Sequence, residues 1–314
     1  MKGRRVLVTG GFGFLGSRLV PALLEAGAEV RAVSRRPREA PGVEVAVADL
    51  TRPDDCERAV RGIEDVFHLA AFGWGLGENQ KQAAQLLTQN VLLNTHLLEA
   101  ARKAGVERYL YTSSSSVYPG SAELLDESLP WDAPPHGSES TFGWAKRLGE
   151  IQARAYRDQY GMKIAVVRPS NPYGPGDDFD PSRAHVIPSL IAKVAARTSP
   201  LVVWGTGQAV RSFVYADDVV LGMRLAMERA ADADPINLAS PETTRIADLV
   251  RTILEAEGCA DLPVRFDPTK PEGHPRKVPS TAKAEAKIGF RAATPLREGL
   301  ARTVRWYREH VLRS

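Results

Sequence analysis

The chain has 314 residues, enough for one large domain or two modest ones with a sizeable core. Hydrophobic residues make up 43% and charged residues 25%, a balance that excludes global disorder. The net charge of +3 comes from scattered Lys and Arg, which excludes the basic stripe of a nucleic-acid partner but suits an anionic ligand.

Residues 6–8 are a short apolar run ending in Thr9 and Gly10, which predicts a buried strand. Residues 14–26 carry a helical pattern stopped by Gly27. Strands are predicted at 29–34, at 43–47 just before Asp49 and Leu50, and at 65–70. A long amphipathic helix over 81–103 is closed by Gly105. A strand at 108–113, a helix at 143–160 and a strand at 163–168 follow. This alternation with short connections predicts an α/β fold: a doubly wound parallel Rossmann sheet with helices on both faces. After Pro169 the Pro and Gly become denser and the units irregular, which predicts a smaller C-terminal substrate-binding domain. Segments 212–227 and 235–239 read as a helix and a strand that rejoin the sheet. The expected division is a dinucleotide domain of 1–169 plus about 209–240, and a substrate domain of 170–208 and 241–314.

Cys56 and Cys259 stand far apart without a CxxC, which argues against a disulfide framework or zinc ribbon and fits a reducing compartment. No segment has the length of a signal-peptide core or a membrane span, so a cytoplasmic protein with no membrane partner is expected. No two of the six histidines stand at i,i+4, and no metal site is expected.

Thr9-Gly10-Gly11-Phe12-Gly13-Phe14-Leu15-Gly16 joins the first strand to the first helix. Glycines at 10, 13 and 16 permit a tight turn, close approach to a pyrophosphate and close helix packing, and the helix N-terminus offers free N–H groups to the anion. The second strand ends in Ser34-Arg35-Arg36 where NAD sites usually carry an acidic residue. A hydroxyl and two guanidiniums suit a 2′-phosphate, hence NADP, with NAD as the alternative; the other reading is a solvated basic turn. Asp49 either accepts from the adenine amino group or caps its own loop.

Several further stretches stand out along the chain: His68-Leu69-Ala70-Ala71, Thr112-Ser113-Ser114-Ser115-Ser116-Val117-Tyr118, Lys146 on its helix, Arg168-Pro169-Ser170-Asn171-Pro172-Tyr173-Gly174-Pro175, and 211–218. With the glycine turn they resemble, nearly end to end, the extended short-chain dehydrogenase/reductases that act on nucleotide sugars. The resemblance implies that Leu69, Ala70 and Ala71, with Leu50, line the cofactor. It implies Ser114 and Lys146 as catalytic groups, Lys146 also holding the nicotinamide ribose. The family's Tyr belongs four residues before the Lys, where this chain has Phe142. Phe142 and Lys146 share one helix face, yet Phe has no proton to give. Losing that acid–base step typically lowers the rate about 10²–10⁴-fold. Phe142 is either natural or an engineered replacement, and the intact surrounding motif favours the latter.

Residues 173–188, 204–213 and 270–277 resemble the GDP-fucose synthase branch, and the middle stretch also the GDP-mannose 3,5-epimerase branch. That resemblance implies a GDP-linked 4-keto hexose and NADPH. Both branches use a Cys as an acid–base group, and its place is taken here by Ser116; the histidine partner matches His185. A Ser hydroxyl is a poorer proton carrier than a thiol, which puts 3,5-epimerisation in doubt. Ser115, Asn171, Val186, Trp204, Arg211 and Arg276 match positions on the substrate side. Gly75, in the loop 72–79 that contains Trp74, follows a strand's carboxyl end, where doubly wound folds bind ligands. The expected activity is an NADP-dependent 4-ketoreductase slowed by Phe142. The alternatives are a redox-neutral epimerase and an inactive dinucleotide-binding sensor. Homodimerisation through helices 81–103 and 143–160 is expected in the family manner.

Overall fold

Val6, Leu7 and Val8 are all fully buried in the strand Arg5–Thr9 (β1), as an apolar run inside a parallel sheet covered on both faces must be. The computed structural model describes residues 1–73, 75–122, 124–180 and 183–312. Trp74 and Pro181, in stretches singled out above, lie outside them.

Six further strands join β1: Glu29–Ser34 (β2), Val43–Val47 (β3), Asp65–His68 (β4), Arg108–Thr112 (β5), Lys163–Pro169 (β6) and Ile236–Leu238 (β7). Their order is β3-β2-β1-β4-β5-β6-β7 and every pairing is parallel. This is a Rossmann-like α/β fold. The order reverses between β1 and β4, where Thr9 pairs with His68, so the crevice for a ligand opens at these two carboxyl ends.

Period-two alternation divides the strand side chains between two apolar layers. Val6, Val8, Phe67, Leu110, Ala165 and Val167 face the helices Gly16–Glu25 (α1) and Ala216–Arg229. Leu7, Val66, Tyr109, Tyr111, Ile164 and Val166 face the helices Ala83–Lys103 (α2) and Ser140–Tyr160 (α3). A third cluster lies beyond the sheet, where Ile187, Ile191, Leu249, Ile253, Leu300 and Val304 pack around Leu201 and Val203.

Several elements differ from expectation. The first helix starts at Gly16 because Phe14 and Leu15 belong to the turn. The predicted helix over 81–103 is preceded by a separate short helix, Leu76–Lys81, and itself begins at Ala83. The predicted helix 212–227 opens instead with the strand pair residues Val214–Tyr215 and turns helical at Ala216. Segment 235–239, by contrast, rejoins the sheet as expected, as β7. The helix Ala282–Ile288, expected with the substrate domain, places Ala284 and Ile288 in the sheet's own apolar layer, joined by Phe290 just beyond its end.

Candidate active site

The glycine turn closes tightly on itself. Gly10 has φ +66°, its carbonyl accepts from Gly13 N at 2.9 Å, and a Cβ at Gly16 would overlap that same carbonyl. No residue larger than glycine fits there, so the turn leaves a bare backbone cradle in front of α1. The helix start has neither a side-chain cap nor an acidic residue in its first turn, which leaves its positive end open to an anion. Phe14 and Leu15 form this entrance, and Arg18 pairs with Asp217 to tie α1 to the neighbouring helix at 2.6 and 2.8 Å. A dinucleotide pyrophosphate fits the cradle.

At the end of β2, Ser34 Oγ accepts from Arg36 N at 3.3 Å. Arg35 lies over the Phe72 ring at 5.5 Å and Arg38, unremarked in the sequence, lies over the Phe12 ring at 5.2 Å. Arg35, Arg36 and Arg38 are exposed, and among the described residues none of the three is in an ion pair. Asp49 is exposed, and its Oδ1 accepts from Thr51 N at 3.0 Å and Thr51 Oγ1 at 2.7 Å. Leu50 is buried behind it. Leu69 N and Ala70 N are held by Thr9, at its carbonyl and its hydroxyl respectively, while Ala71 is exposed beside them.

A buried chain of hydrogen bonds leads from this crevice to Tyr111, whose hydroxyl lies 3.5 Å from the Lys146 carbonyl. Thr9 Oγ1 accepts from Ala70 N, so its own proton goes to His68 Nδ1 at 2.7 Å. His68 Nε2 then donates to Asn94 Oδ1 at 2.8 Å, and Asn94 Nδ2 donates to the Tyr111 hydroxyl at 3.1 Å. Burial pushes the His68 imidazole down to about 3, so it is neutral and fixed in one tautomer. Lys146 Nζ donates to Thr112 O at 2.8 Å, and burial, opposed by the charge of Glu150, brings its ammonium down to about 8.

The α3 helix comes close enough to set Phe142 and Lys146 over the end of β5. A Cβ at Gly143 would overlap the Ser116 carbonyl, so only glycine allows this approach. Lys146 Nζ is 5.4 Å from the Phe142 ring centroid. Neither nearby tyrosine stands in for a phenol at 142. Tyr111 is fully enclosed within the hydrogen-bond chain, and Tyr118 donates to Asn237 Oδ1 at 2.7 Å beneath the Arg168 guanidinium.

Ser114 Oγ accepts from Ser116 N at 3.1 Å and donates to Ser116 Oγ at 3.2 Å, at the head of the short turn Ser115–Val117. Ser115 and Ser116 are buried. Ser116 Oγ also accepts from Lys277 Nζ at 3.3 Å, and Lys277 Nζ pairs with Glu139 at 2.6 Å. Burial would raise the Glu139 carboxyl, but the charge and hydrogen bond of Lys277, with a hydrogen bond from Ser116, bring it to about 2. The strand Arg276–Lys277 alternates, sending Lys277 inward and leaving Arg276 exposed. The inward cation is therefore Lys277, the buried neighbour of the Arg276 that the sequence points to. His274 packs on the His136 ring at 5.1 Å, and its buried Nε2 has no hydrogen-bond partner among the described residues.

The remaining substrate-side candidates surround this group unevenly. His185 is exposed at the start of the helix Val186–Ala195; desolvation by the surrounding protein, then the Lys277 charge, lowers its pKa. Val186 is also exposed. Arg211 donates to Val210 O and Glu272 O, while Asn171 Nδ2 donates to Ser212 O at 2.9 Å. Both are thus engaged by backbone. Gly75 N donates to Arg183 O, and Trp204, half exposed, lies against Gly77.

A family model described as the NAD dependent epimerase/dehydratase family matches residues 6–239. The chain is 35% identical over 324 residues to the dTDP-4-dehydro-6-deoxy-D-allose reductase of Streptomyces bikiniensis, covering 98% of each. The UDP-glucose 4-epimerase of Thermotoga maritima, solved with UDP-glucose, matches with a TM-score of 0.88 at 28% identity over 97% of this chain and 99% of that one. A GDP-L-fucose synthetase from Naegleria fowleri bound to NADP matches with a TM-score of 0.85 at 25% identity over 98% of this chain and 95% of that one. Among the described residues no helix is long and apolar enough to cross a membrane.

Proposed function

The chain belongs to the NAD dependent epimerase/dehydratase family, as an NAD(P)-dependent enzyme related to nucleotide-sugar reductases and epimerases, and we propose that it reduces the 4-keto group of a nucleoside-diphosphate hexose with NADPH. The observation that carries this reading is the placement of Ser116. Where the epimerising branches are expected to carry a thiol, this chain holds a hydroxyl between Lys277 and Glu139. A hydroxyl moves protons poorly at the carbons beside a ketone, which leaves reduction at C4. The Streptomyces relative is named for a dTDP-linked 4-keto sugar, whereas the sequence resemblance favours GDP, so these two carriers come first.

The turn from Gly10 to Gly16 would hold the pyrophosphate, Ser34, Arg35 and Arg36 the 2′-phosphate, and Lys146 the ribose next to the nicotinamide. Bound there, the reduced dinucleotide supplies hydride. Ser114 orients the ketone oxygen, and Arg211 supplies positive charge toward the diphosphate side. Phe142 gives no proton, so turnover is slower than a phenol at that place would allow. The subunits pair through α2 and α3, whose outer faces expose Leu87, Trp144, Leu148 and Ile151.

The test incubates the chain and its Phe142→Tyr variant with NADPH and 4-keto-6-deoxyhexoses carried on dTDP, GDP and UDP. Absorbance of reduced nicotinamide and product identity are followed. Net NADPH consumption with a 4-hydroxyl product is expected, at least about tenfold faster in the Phe142→Tyr variant. The likeness to a 4-epimerase fold favours a second reading, epimerisation at C4, which would interconvert nucleotide hexoses without net NADPH loss. Absence of any turnover by either protein would overturn both and leave a ligand-binding sensor.

A further inference from the structure

With Phe142 unable to donate, the ketone oxygen still needs a proton, and four groups lie in one hydrogen-bonded line that begins at Ser114. Ser114 Oγ is 3.2 Å from Ser116 Oγ, Ser116 Oγ is 3.3 Å from Lys277 Nζ, and Lys277 Nζ is 2.6 Å from Glu139 Oε2. The line is shielded: Ser116 and Lys277 are buried, and a small cavity lined by Ser116, His136, Glu139, His274 and Lys277 lies at its far end. We infer that Lys277, through Ser116 and Ser114, is the proton source for the reduced sugar oxygen in this chain. The inference rests on the reduction proposed above.

Protons and charge balance along the line. As hydride reaches the sugar C4, the C=O π pair moves onto oxygen and takes the Ser114 proton. The Ser114 oxygen takes the Ser116 proton, and the Ser116 oxygen takes one proton from the Lys277 ammonium. Lys277 is left neutral beside the Glu139 carboxylate and is recharged from solvent. An alkoxide is a far stronger base than an amine, so the transfer runs downhill. A lysine ammonium and a tyrosine phenol are ordinarily acids of similar strength, which is why one can serve where the other is missing. Glu139 has a positioning part: it holds Nζ against Ser116 and balances its charge. At rest Ser114 donates to Ser116 and Ser116 to Glu139, so both hydroxyls first turn about their C–O bonds, which moves no heavy atom.

The experiment compares the parent, Ser116→Ala, Lys277→Arg, and the charge-neutral pair Lys277→Met/Glu139→Gln, each also with Phe142→Tyr. Single-turnover NADPH oxidation is read in H₂O and D₂O, with NADP and nucleoside-diphosphate affinities measured by calorimetry. Expected is a loss of about 10²-fold in kcat for Ser116→Ala and the neutral pair, with ligand affinities within a few-fold of the parent. Lys277→Arg is expected to be equally slow, since a guanidinium keeps its proton. Adding Phe142→Tyr should restore each, because the phenol is an independent acid, and the parent's solvent isotope effect should change with it. Retained kcat in the neutral pair, or recovery by Lys277→Arg, overturns the relay while leaving the reductase standing. So does a loss confined to nucleotide affinity, or one that adding Phe142→Tyr fails to rescue. An inactive parent whose Phe142→Tyr variant is active also overturns the relay alone. Inactivity of both overturns the reductase reading and the relay with it. The neutral pair, which leaves no unpaired buried charge, covers the case in which a single replacement does not fold.

Discussion

Lys146 Nζ stands 5.4 Å from the centroid of the Phe142 ring, one helical turn away on the same face of α3. The ring offers its electrons but no oxygen to share the charge. The ammonium keeps one backbone acceptor, Thr112 O, and burial, opposed by Glu150, brings it down to about 8.

That burial predicts a stability gain on replacement. An unfolded lysine holds its proton to about 10.4, so between about 8 and 10.4 the unfolded chain binds more protons and stability rises with pH. Below about 8 the full penalty is present, on the order of 3 kcal/mol from the shift alone. Lys146→Met should therefore raise the urea unfolding free energy at pH 7 by up to that amount, less the lost bond to Thr112 O. The gain should shrink as the pH rises to about 10. An equal gain at both pH values would show that packing, not charge, is responsible.

The central strands were legible because Val6–Val8 and the runs that pair with them are apolar on both faces, and the glycine turn sits in the only context that gives it meaning. The helix Pro53–Ala59 was not legible: of seven residues only Cys56 and Ala59 face inward, too few to show a period. The same holds for the two-residue strands beyond Pro169, such as Val210–Arg211 and Arg276–Lys277. Phe142 and Lys146 could be placed together by helical spacing alone. Lys277 meets Glu139 across 138 residues and Ser116 across 161, and no local pattern encodes such a meeting. What could have hinted at it is the strand alternation beside Arg276, which sends one of two adjacent cations inward.

The bond chain through His68 predicts acid sensitivity. Burial pushes its imidazole from the ordinary value to about 3, so between about 6.5 and 3 the unfolded chain takes up a proton that the folded chain refuses. This part of the stability is intact above about 6.5 and is lost as pH falls, up to about 5 kcal/mol if the whole window is crossed. His68→Gln should be less stable than the parent at pH 7, because the Thr9 and Asn94 bonds are remade imperfectly. Its urea midpoint should nevertheless fall less steeply between about pH 6.5 and 4.5. Parallel slopes for the two proteins would place the acid sensitivity elsewhere.

The exposed cations at the end of β2 predict cofactor choice. A charge-assisted hydrogen bond contributes about 1.5–3 kcal/mol, or roughly 10–100-fold in affinity. Arg36→Ala and Arg35→Ala should each weaken NADPH binding by at least about tenfold and leave NADH binding unchanged. Arg35 also lies on Phe72, so its loss is expected to disturb the loop that leads to Gly75, an effect Arg36→Ala lacks. Calorimetric titration of both nucleotides into the three proteins measures this directly. Equal weakening for NADPH and NADH would mean that these arginines serve the shared part of the cofactor.

Trp144, Leu148 and Ile151 follow one another at i, i+4 and i+7 on α3, and are 46%, 37% and 47% exposed. Leu87 on the adjoining α2 is 38% exposed. Helical spacing puts the first three in one stripe, and the packing of α2 against α3 sets the fourth beside it. Scattered apolar side chains need no explanation, but a stripe across two long antiparallel-capable helices is the self-complementary patch that a twofold dimer uses. The parent should therefore sediment as a dimer. Leu148→Asp/Ile151→Asp should sediment as a monomer, since a twofold contact repeats each new charge and sets four carboxylates in one apolar seam. The crevice proposed for the nucleotide lies at the carboxyl ends of β1 and β4, and helical spacing sets Phe142 and Lys146 on the other face of α3 from this stripe, so the monomer should still bind NADP. A monomeric parent would remove the dimer from the proposal, and loss of NADP binding with dimerisation would mean that pairing also holds the crevice in shape.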